Sequence, residues 1–505
     1  MKYWTFKHKP GEDSNEKDSW KFVEKAIKLN SALMQYEYGI QKSKTVTMNW
    51  QKIINNLQVG DLIFLRGDAK VYAFGEVIRP RKKPDAVLNA RKIIKNKDHE
   101  GYHSGNFNGC IHFEDSEVFY EDLNSTGESW GQRVDVRYWM YYDPGGINAK
   151  KQNLYIDNEN EFGVLKQLKD EAGKHLLEQL KNRFMDKNIE LLKNNYNMIL
   201  TGAPGTGKTF LAKEMALKLI IQKPRIELLS ENERQKFHFQ HQFTQFHPSY
   251  DYTDFVEGLR PFQEEGRNEI GFELKDGIFR EFCDKARDAW KEDQKKPPEE
   301  KRKFVFIIDE INRGELSKIF GELFFSIDPG YRGEEGKVMT QYANMRKSEK
   351  DKFFDVPKNV YIIGTMNDID RSVESFDFAM RRRFIWKEIT AQESAGKMSL
   401  EQESIKRMVA LNDTISSEII EGLNASYHIG PAYFLKLQHD ANDKYNKLWD
   451  FHLAPLLKEY LRGMPNYYEN FQTLENAYKN KWNEVYFDEN KRKWALINET
   501  HANDR

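Results

Sequence analysis

Residues 197–221 read "NMILTGAPGTGKTFLAKEMALKLII", and within them Gly202-Ala203-Pro204-Gly205-Thr206-Gly207-Lys208-Thr209 fit G-x-x-x-x-G-K-[ST]. An apolar run precedes the glycines and a helix-forming run follows them, so the order predicts strand, loop, helix. Glycines let backbone N–H groups turn inward around phosphate oxygens, and the helix that follows adds its positive N-terminal end. Lys208 is positioned to reach the β- and γ-phosphates, and the Thr209 hydroxyl to ligate Mg²⁺.

A phosphate cradle hydrolyses nothing alone. About 100 residues later "FVFIIDE" (304–310) supplies five apolar residues ending in Asp309 and Glu310. Such a run suits a strand buried on both faces, and strand C-termini line the ligand crevice of open α/β sheets. Asp309 is a candidate to hold the metal, and Glu310 to polarise an attacking water. "NVYIIGTMN" (359–367) is a further buried strand that would bring Asn367 beside Glu310. Asp370 and Arg371 follow, then Arg381, Arg382 and Arg383 between apolar anchors in "FAMRRRFIW" (378–386). Guanidinium groups from a neighbouring subunit neutralise charge on a transferring phosphoryl group, and these arginines are candidates for that role.

The motif order resembles that of AAA+ ATPases, with Asn367 at the sensor-1 position. Within that class "IIDEINRGELSKIFGELFFSI" (307–327), "GTMNDIDRS" (364–372), "FHPSYDYTDFVEGLRP" (246–261) and "AYF" after "HIG" (428–434) resemble the McrB family, including its Met-Asn-x-x-Asp-Arg signature. These are nucleotide-driven motor subunits of modification-dependent restriction systems. The resemblance implies GTP with Mg²⁺, a hexameric ring and a separate McrC-type nuclease subunit. It also implies that Arg313 and Arg371 are subunit-interface residues oriented by Asp370. "IGPAYF" (429–434) departs from the family, where a histidine-serine pair would follow the glycine. No residue motif for guanine is present, so GTP rests on the resemblance and ATP stays open. No Asp…Glu-x-Lys nuclease constellation is evident, so DNA cleavage is expected to need the partner.

The front of the chain differs. "KYWTFKHKPGE" (2–12), "NNLQVGDLIFLRGDAKVYAFGEVI" (55–78) and "RVDVRYWMYYD" (133–143) resemble the EVE group of PUA-like barrels, related to YTH readers. The resemblance implies a reader of a modified base flipped out of double-stranded DNA, with stacking restored by aromatic faces. Pocket candidates are Trp20, Trp50, Trp139, Tyr72 and Trp4, with Arg81 and Lys82 of "RPRKKP" (79–84) for phosphates. Core packing of the aromatics and a solvated basic loop are equal alternatives.

Composition bounds these readings. The chain has 505 residues, 39% hydrophobic and 31% charged, which predicts a globular protein of two to four domains. Net charge is −1, so nucleic-acid contacts must come from local patches. The two cysteines, Cys110 and Cys283, allow neither a disulfide framework nor a zinc site, and no run is long and apolar enough for a membrane helix. A cytoplasmic protein is expected. The expected architecture is a mixed α+β PUA-like barrel domain (1–150), a helical connector (151–194), an α/β AAA+ core (195–390) and a helical lid with C-terminal segment (391–505). Two other functions stay open. One is an AAA+ remodelling ATPase acting on protein complexes. The other is a scaffold that only binds nucleotide, against which Glu310 argues.

Overall fold

The computed structural model describes residues 170–223, 226–263, 270–369, 378–398, 400–417, 420–439 and 443–479. It also describes Asp61, seven strands before residue 170, and two strands at 485–488 and 493–496. Backbone contacts divide the chain into Met1–Lys181 and Asn182–Arg505.

In the first unit the strands are β1 (Tyr3–Lys7), β2 (Ser31–Met34), β3 (Leu62–Arg66), β4 (Lys70–Val77), β5 (Gln132–Tyr141), β6 (Ile147–Asn148) and β7 (Leu165–Leu168). They form one sheet in the order β2-β5-β4-β3-β1-β7, with β6 against β4. The expected antiparallel pair of β3 and β4 is present. Trp4 is buried, and its indole N–H donates to the Asp61 carboxylate at 2.9 Å, so this aromatic belongs to the core and not to a ligand pocket. The segment 151–194 was expected to be helical, but Leu165–Leu168 pairs antiparallel with β1. An open strand edge captures this short run. The helix α1 (Asp170–Asn195) begins only where Asp170 and Glu171 place acids in its first turn.

The second unit is built on a five-stranded sheet. Its strands are β8 (Asn197–Thr201), β9 (His241–Gln245), β12 (Phe304–Asp309), β15 (Val360–Thr365) and β16 (Ile385–Glu388), in the order β16-β8-β15-β12-β9. All four pairings are parallel. Between them lie two antiparallel ribbons, β10 (Glu257–Gln263) with β11 (Ile270–Asp276) and β13 (Val338–Met339) with β14 (Phe353–Phe354).

Alternation divides each core strand between two apolar layers. Met198, Leu200, Val305, Ile307, Tyr361 and Ile363 face α2 (Lys208–Ile221), α3 (Glu231–Gln240) and the stripe Met185, Ile189, Leu192 of α1. Ile199, Phe304, Phe306, Ile308, Val360 and Ile362 face α4 (Ile278–Glu292), where Phe279, Phe282 and Cys283 meet Phe255 and Phe320. This double cover explains why β8, β12 and β15 are continuous apolar runs rather than alternating ones. Cys283 is fully buried, and burial pushes its thiol well above the ordinary range. The expected strand in "HFQHQFTQF" (238–246) starts late. A capping box between Ser230 and Glu233 starts α3, which runs through Gln240 before β9 begins.

His241 opens β9, stacked 4.6 Å from Phe237. Burial, with Lys213 and His238 adding to it, pushes its imidazole from 6.5 down to about 4. The fold therefore favours the neutral ring. Its contribution is full above the unfolded pKa of 6.5 and is lost as pH falls from there through about 4. Urea-unfolding midpoints should drop across that window in the parent chain and drop less steeply in His241→Gln.

Candidate nucleotide-binding site

The loop between β8 and α2 has Gly202, Gly205 and Gly207 at φ of 139°, 75° and 77°, conformations that L side chains resist. A Cβ at Gly202 would stand 2.3 Å from the Ile389 carbonyl oxygen. Gly207 precedes α2 and supplies no side-chain cap, so the first N–H donors of α2 have no side chain competing for them. Lys208 is buried, and its ammonium donates to the carbonyls of Gly202 and Ala203 at 2.9 Å each. The Thr206 hydroxyl closes the turn onto the Ala203 carbonyl at 3.0 Å.

Beside the loop, Asp309 Oδ1 accepts two hydroxyls at 2.6 Å, from Thr209 in the first turn of α2 and from Thr365 at the end of β15. Thr365 has no counterpart among the residues picked out from sequence, because a threonine ending a strand carries no signal by itself. The donor set is hard oxygen, which fits Mg²⁺. Among the described residues no group of three His, Cys, Asp or Glu side chains could hold a metal alone. A magnesium ion held by Thr209 and Asp309 would therefore complete its shell with phosphate and water oxygens.

Glu310 adopts φ 52°, a left-handed conformation uncommon for a residue with a side chain. Its N–H reaches the Thr365 hydroxyl at 3.3 Å. The Asn367 amide donates to Glu310 Oε1 at 3.0 Å and Oε2 at 3.3 Å, and Arg313 Nε lies 3.3 Å from Oε2. Thr209, Asp309, Glu310, Arg313 and Asn367 thus converge at one edge of the sheet. Asp368 joins them through its N–H, 3.4 Å from the Gly202 carbonyl. Burial raises its carboxyl pKa, Lys208 opposes that shift and Glu388 reinforces it.

The arginine run divides three ways. Arg381 lies over the Trp386 ring. Arg383 is buried, 3.6 Å from Asp328 and over Phe324. Arg382 has a side chain 67% exposed, with Asp328 at 3.9 Å. The Arg383 carbonyl accepts from Asn197, the first residue of β8, so the run sits at the N-terminal edge of the sheet. The phosphate loop leaves the other end of β8, roughly 16 Å away at strand rise. Neither Arg382 nor Arg383 can serve the loop of its own chain. Asp370 and Arg371 lie outside the described residues, as do Trp20, Trp50, Arg81 and Lys82. Tyr72 lies on β4 and Trp139 on β5, neighbouring strands of the first unit.

A helical layer follows β16, with α5 (Ala391–Lys397), α6 (Gln402–Ile415) and α7 (Tyr467–Lys479). It touches the phosphate loop largely through backbone. The N–H groups of Gly430 and Ala432 donate to the carbonyls of Pro204 and Gly205 at 3.0 Å each, and the Ser394 hydroxyl donates to the Thr206 carbonyl. Asn412 brackets Ile429, accepting its N–H at 2.7 Å and donating to its carbonyl at 3.0 Å. Pro431 and Ala432 stand where a histidine-serine pair was expected, and Ala432 makes its contact with the loop through main chain.

Residues 197–384 match the AAA domain (dynein-related subfamily), and residues 403–469 match the McrB alpha-helical lid domain. The second unit therefore carries an AAA+ P-loop domain: a parallel α/β sheet with its phosphate loop, closed by a helical lid. The chain is 37% identical over 286 residues to the type IV methyl-directed restriction enzyme EcoKMcrB subunit of Escherichia coli (strain K12), covering 53% of this chain and 54% of that protein. The AAA+ domain and lid are thus similar to those of the McrB family. A second relative is the type II restriction enzyme BsuMI component YdiS of Bacillus subtilis (strain 168), at 25% identity over 43% of this chain and 65% of its own. The chain thus spans between half and two thirds of these relatives. Among solved structures, C. elegans PCH-2 aligns over 62% of this chain and 70% of its own at 14% identity, with a TM-score of 0.19 that is too low to argue from. No helix among the described residues is long and apolar enough to cross a membrane.

Gly430→Ala tests the contact between lid and loop. The new Cβ would stand 2.1 Å from the Gly205 carbonyl carbon, and backbone there cannot swing aside as a side-chain tip would. We expect nucleotide affinity to fall about tenfold or more, an expectation set by the cost of displacing a positioned loop. Fluorescent-nucleotide titration checks it, and an unchanged Kd would mean that the lid docks independently of the loop.

Proposed function

We propose that the chain is a GTP-hydrolysing motor subunit of a modification-dependent restriction system. It would work as a ring, probing double-stranded DNA with its first unit and driving a separate McrC-type nuclease subunit. The observation that carries the motor reading is the convergence of Thr209, Asp309, Glu310 and Asn367 beside the glycine loop. Restriction function is supported by the relatives named above, and GTP, the ring and the nuclease partner by the family resemblance.

In this mechanism the loop's N–H groups and Lys208 bind the β- and γ-phosphates. Thr209 and Asp309 hold Mg²⁺, which when bound neutralises phosphate charge. Glu310 accepts a proton from the attacking water, while Asn367 fixes the carboxylate and helps orient that water. Arg382 of one subunit faces the γ-phosphate held by the next, where it stabilises charge on the equatorial oxygens. Arg313, Asp370 and Arg371 complete the interface around the nucleotide.

Glu310→Gln keeps the carboxylate's shape and removes its basicity. Nucleotide binding should persist while turnover falls by about 10² to 10⁴, the usual worth of a general base. Mixed rings test the shared site. Lys208→Ala subunits cannot bind nucleotide but still offer Arg382, and Arg382→Ala subunits bind nucleotide but offer no arginine there. Each alone should be nearly inactive, and mixing should restore part of the rate. A mixture as inactive as its components would remove the shared-site reading.

The first unit as a modified-base reader rests on resemblance and on its aromatic supply. Trp20, Trp50, Tyr72 and Trp139 are the proposed stacking residues, with Arg81 and Lys82 on phosphates. Full-length protein should bind duplexes carrying a modified cytosine or adenine at least about tenfold tighter than unmodified duplex at fixed salt. Equal affinity for both would favour remodelling of protein complexes as the alternative function.

A further inference from the structure

Asn197 shares a strand with the phosphate loop and a hydrogen-bond network with the arginine run. It is fully buried as the first residue of β8. Its Nδ2 donates to the carbonyls of Ile327 at 2.7 Å and Arg383 at 2.8 Å. Its Oδ1 accepts from Arg332, which is itself fully buried, lies over the Tyr196 ring and reaches the Val360 carbonyl at 3.4 Å. Asp328, the neighbour of Ile327, lies 3.6 Å from Arg383 and 3.9 Å from Arg382. One amide therefore fixes both segments that flank the exposed Arg382 guanidinium: the backbone of Arg383 after it and of Ile327 before its carboxylate partner. A buried arginine facing an amide is costly to keep, which argues that its geometry matters.

We infer that Asn197, held by Arg332, is a positioning residue that sets how far and in which direction Arg382 projects toward the neighbouring subunit's nucleotide. The inference rests on the trans-arginine reading above and adds a route to it. The other end of β8 is the phosphate loop, so one rigid five-residue strand joins a subunit's own nucleotide to the arginine it lends. A shift of β8 on binding nucleotide would move the lent arginine with it.

Asn197→Asp is the informative change. It keeps the shape and gives Arg332 a carboxylate partner, but it can no longer donate to Ile327 and Arg383. Assembled rings of Asn197→Asp should keep nucleotide KM and lose about tenfold in kcat, as misplacement of a catalytic group predicts. In an Arg382→Ala background the same change should cost nothing further, because its only route is through that arginine. Arg332→Gln, which spares Asn197, should show the same dependence on Arg382 and serves if the first variant does not assemble. A loss that multiplies in the Arg382→Ala background, or one expressed in KM, overturns the inference alone. Full activity of Arg382→Ala itself overturns the trans-arginine reading and this inference with it.

Discussion

The Asp309 carboxylate is the point on which the AAA+ half depends. One oxygen accepts hydroxyls from two other elements, the helix after the phosphate loop and the end of β15. A half-buried carboxylate left without donors would be unfavourable, so these bonds hold three separate sequence regions in register. That register in turn puts Glu310 within reach of Asn367 and aligns both with the loop. A metal ion would meet a carboxylate already oriented, at the cost of displacing the hydroxyl protons that now face it.

Sheet topology determines which groups meet in one chain and which do not. With all strands of the core sheet parallel, their C-terminal ends collect the loop, the two acids and the amide at one edge. The same rule sends the residues just before β16, including Arg382, to the other edge. The proposed catalytic set is thereby divided between opposite ends of the AAA+ domain. The proposed ring would reunite such heterologous surfaces, as a simple closed arrangement does.

Much of this was legible in the sequence, and the reason is chemical. Phosphate binding demands glycines and a lysine at set spacing, and a doubly covered strand demands an unbroken apolar run, so Gly202–Thr209, Phe304–Glu310 and Val360–Asn367 stood out. Asn197 and Thr365 did not, because single polar residues at strand ends are ordinary and their partners lie far along the chain. The lid's grip on the loop was hidden for another reason. It runs mostly through main-chain groups of Gly430 and Ala432, which residue types do not advertise, with the Ser394 hydroxyl beside them. β7 escaped because four residues with two leucines fit a helix as well as a strand until a free edge is there to pair with. The run of three arginines read as one cluster, whereas Arg381 lies over Trp386 and Arg382 and Arg383 share Asp328, with only Arg383 buried.

Cys283 sits in the apolar layer between α4 and the sheet, with its thiol held protonated by that layer. Thiol reagents attack the thiolate, so this sulfur is silent while the layer stays closed. Its rate of alkylation is therefore a built-in clock for opening of the AAA+ core. Nucleotide, by tying β8, β12 and β15 together at their far ends, should slow that clock.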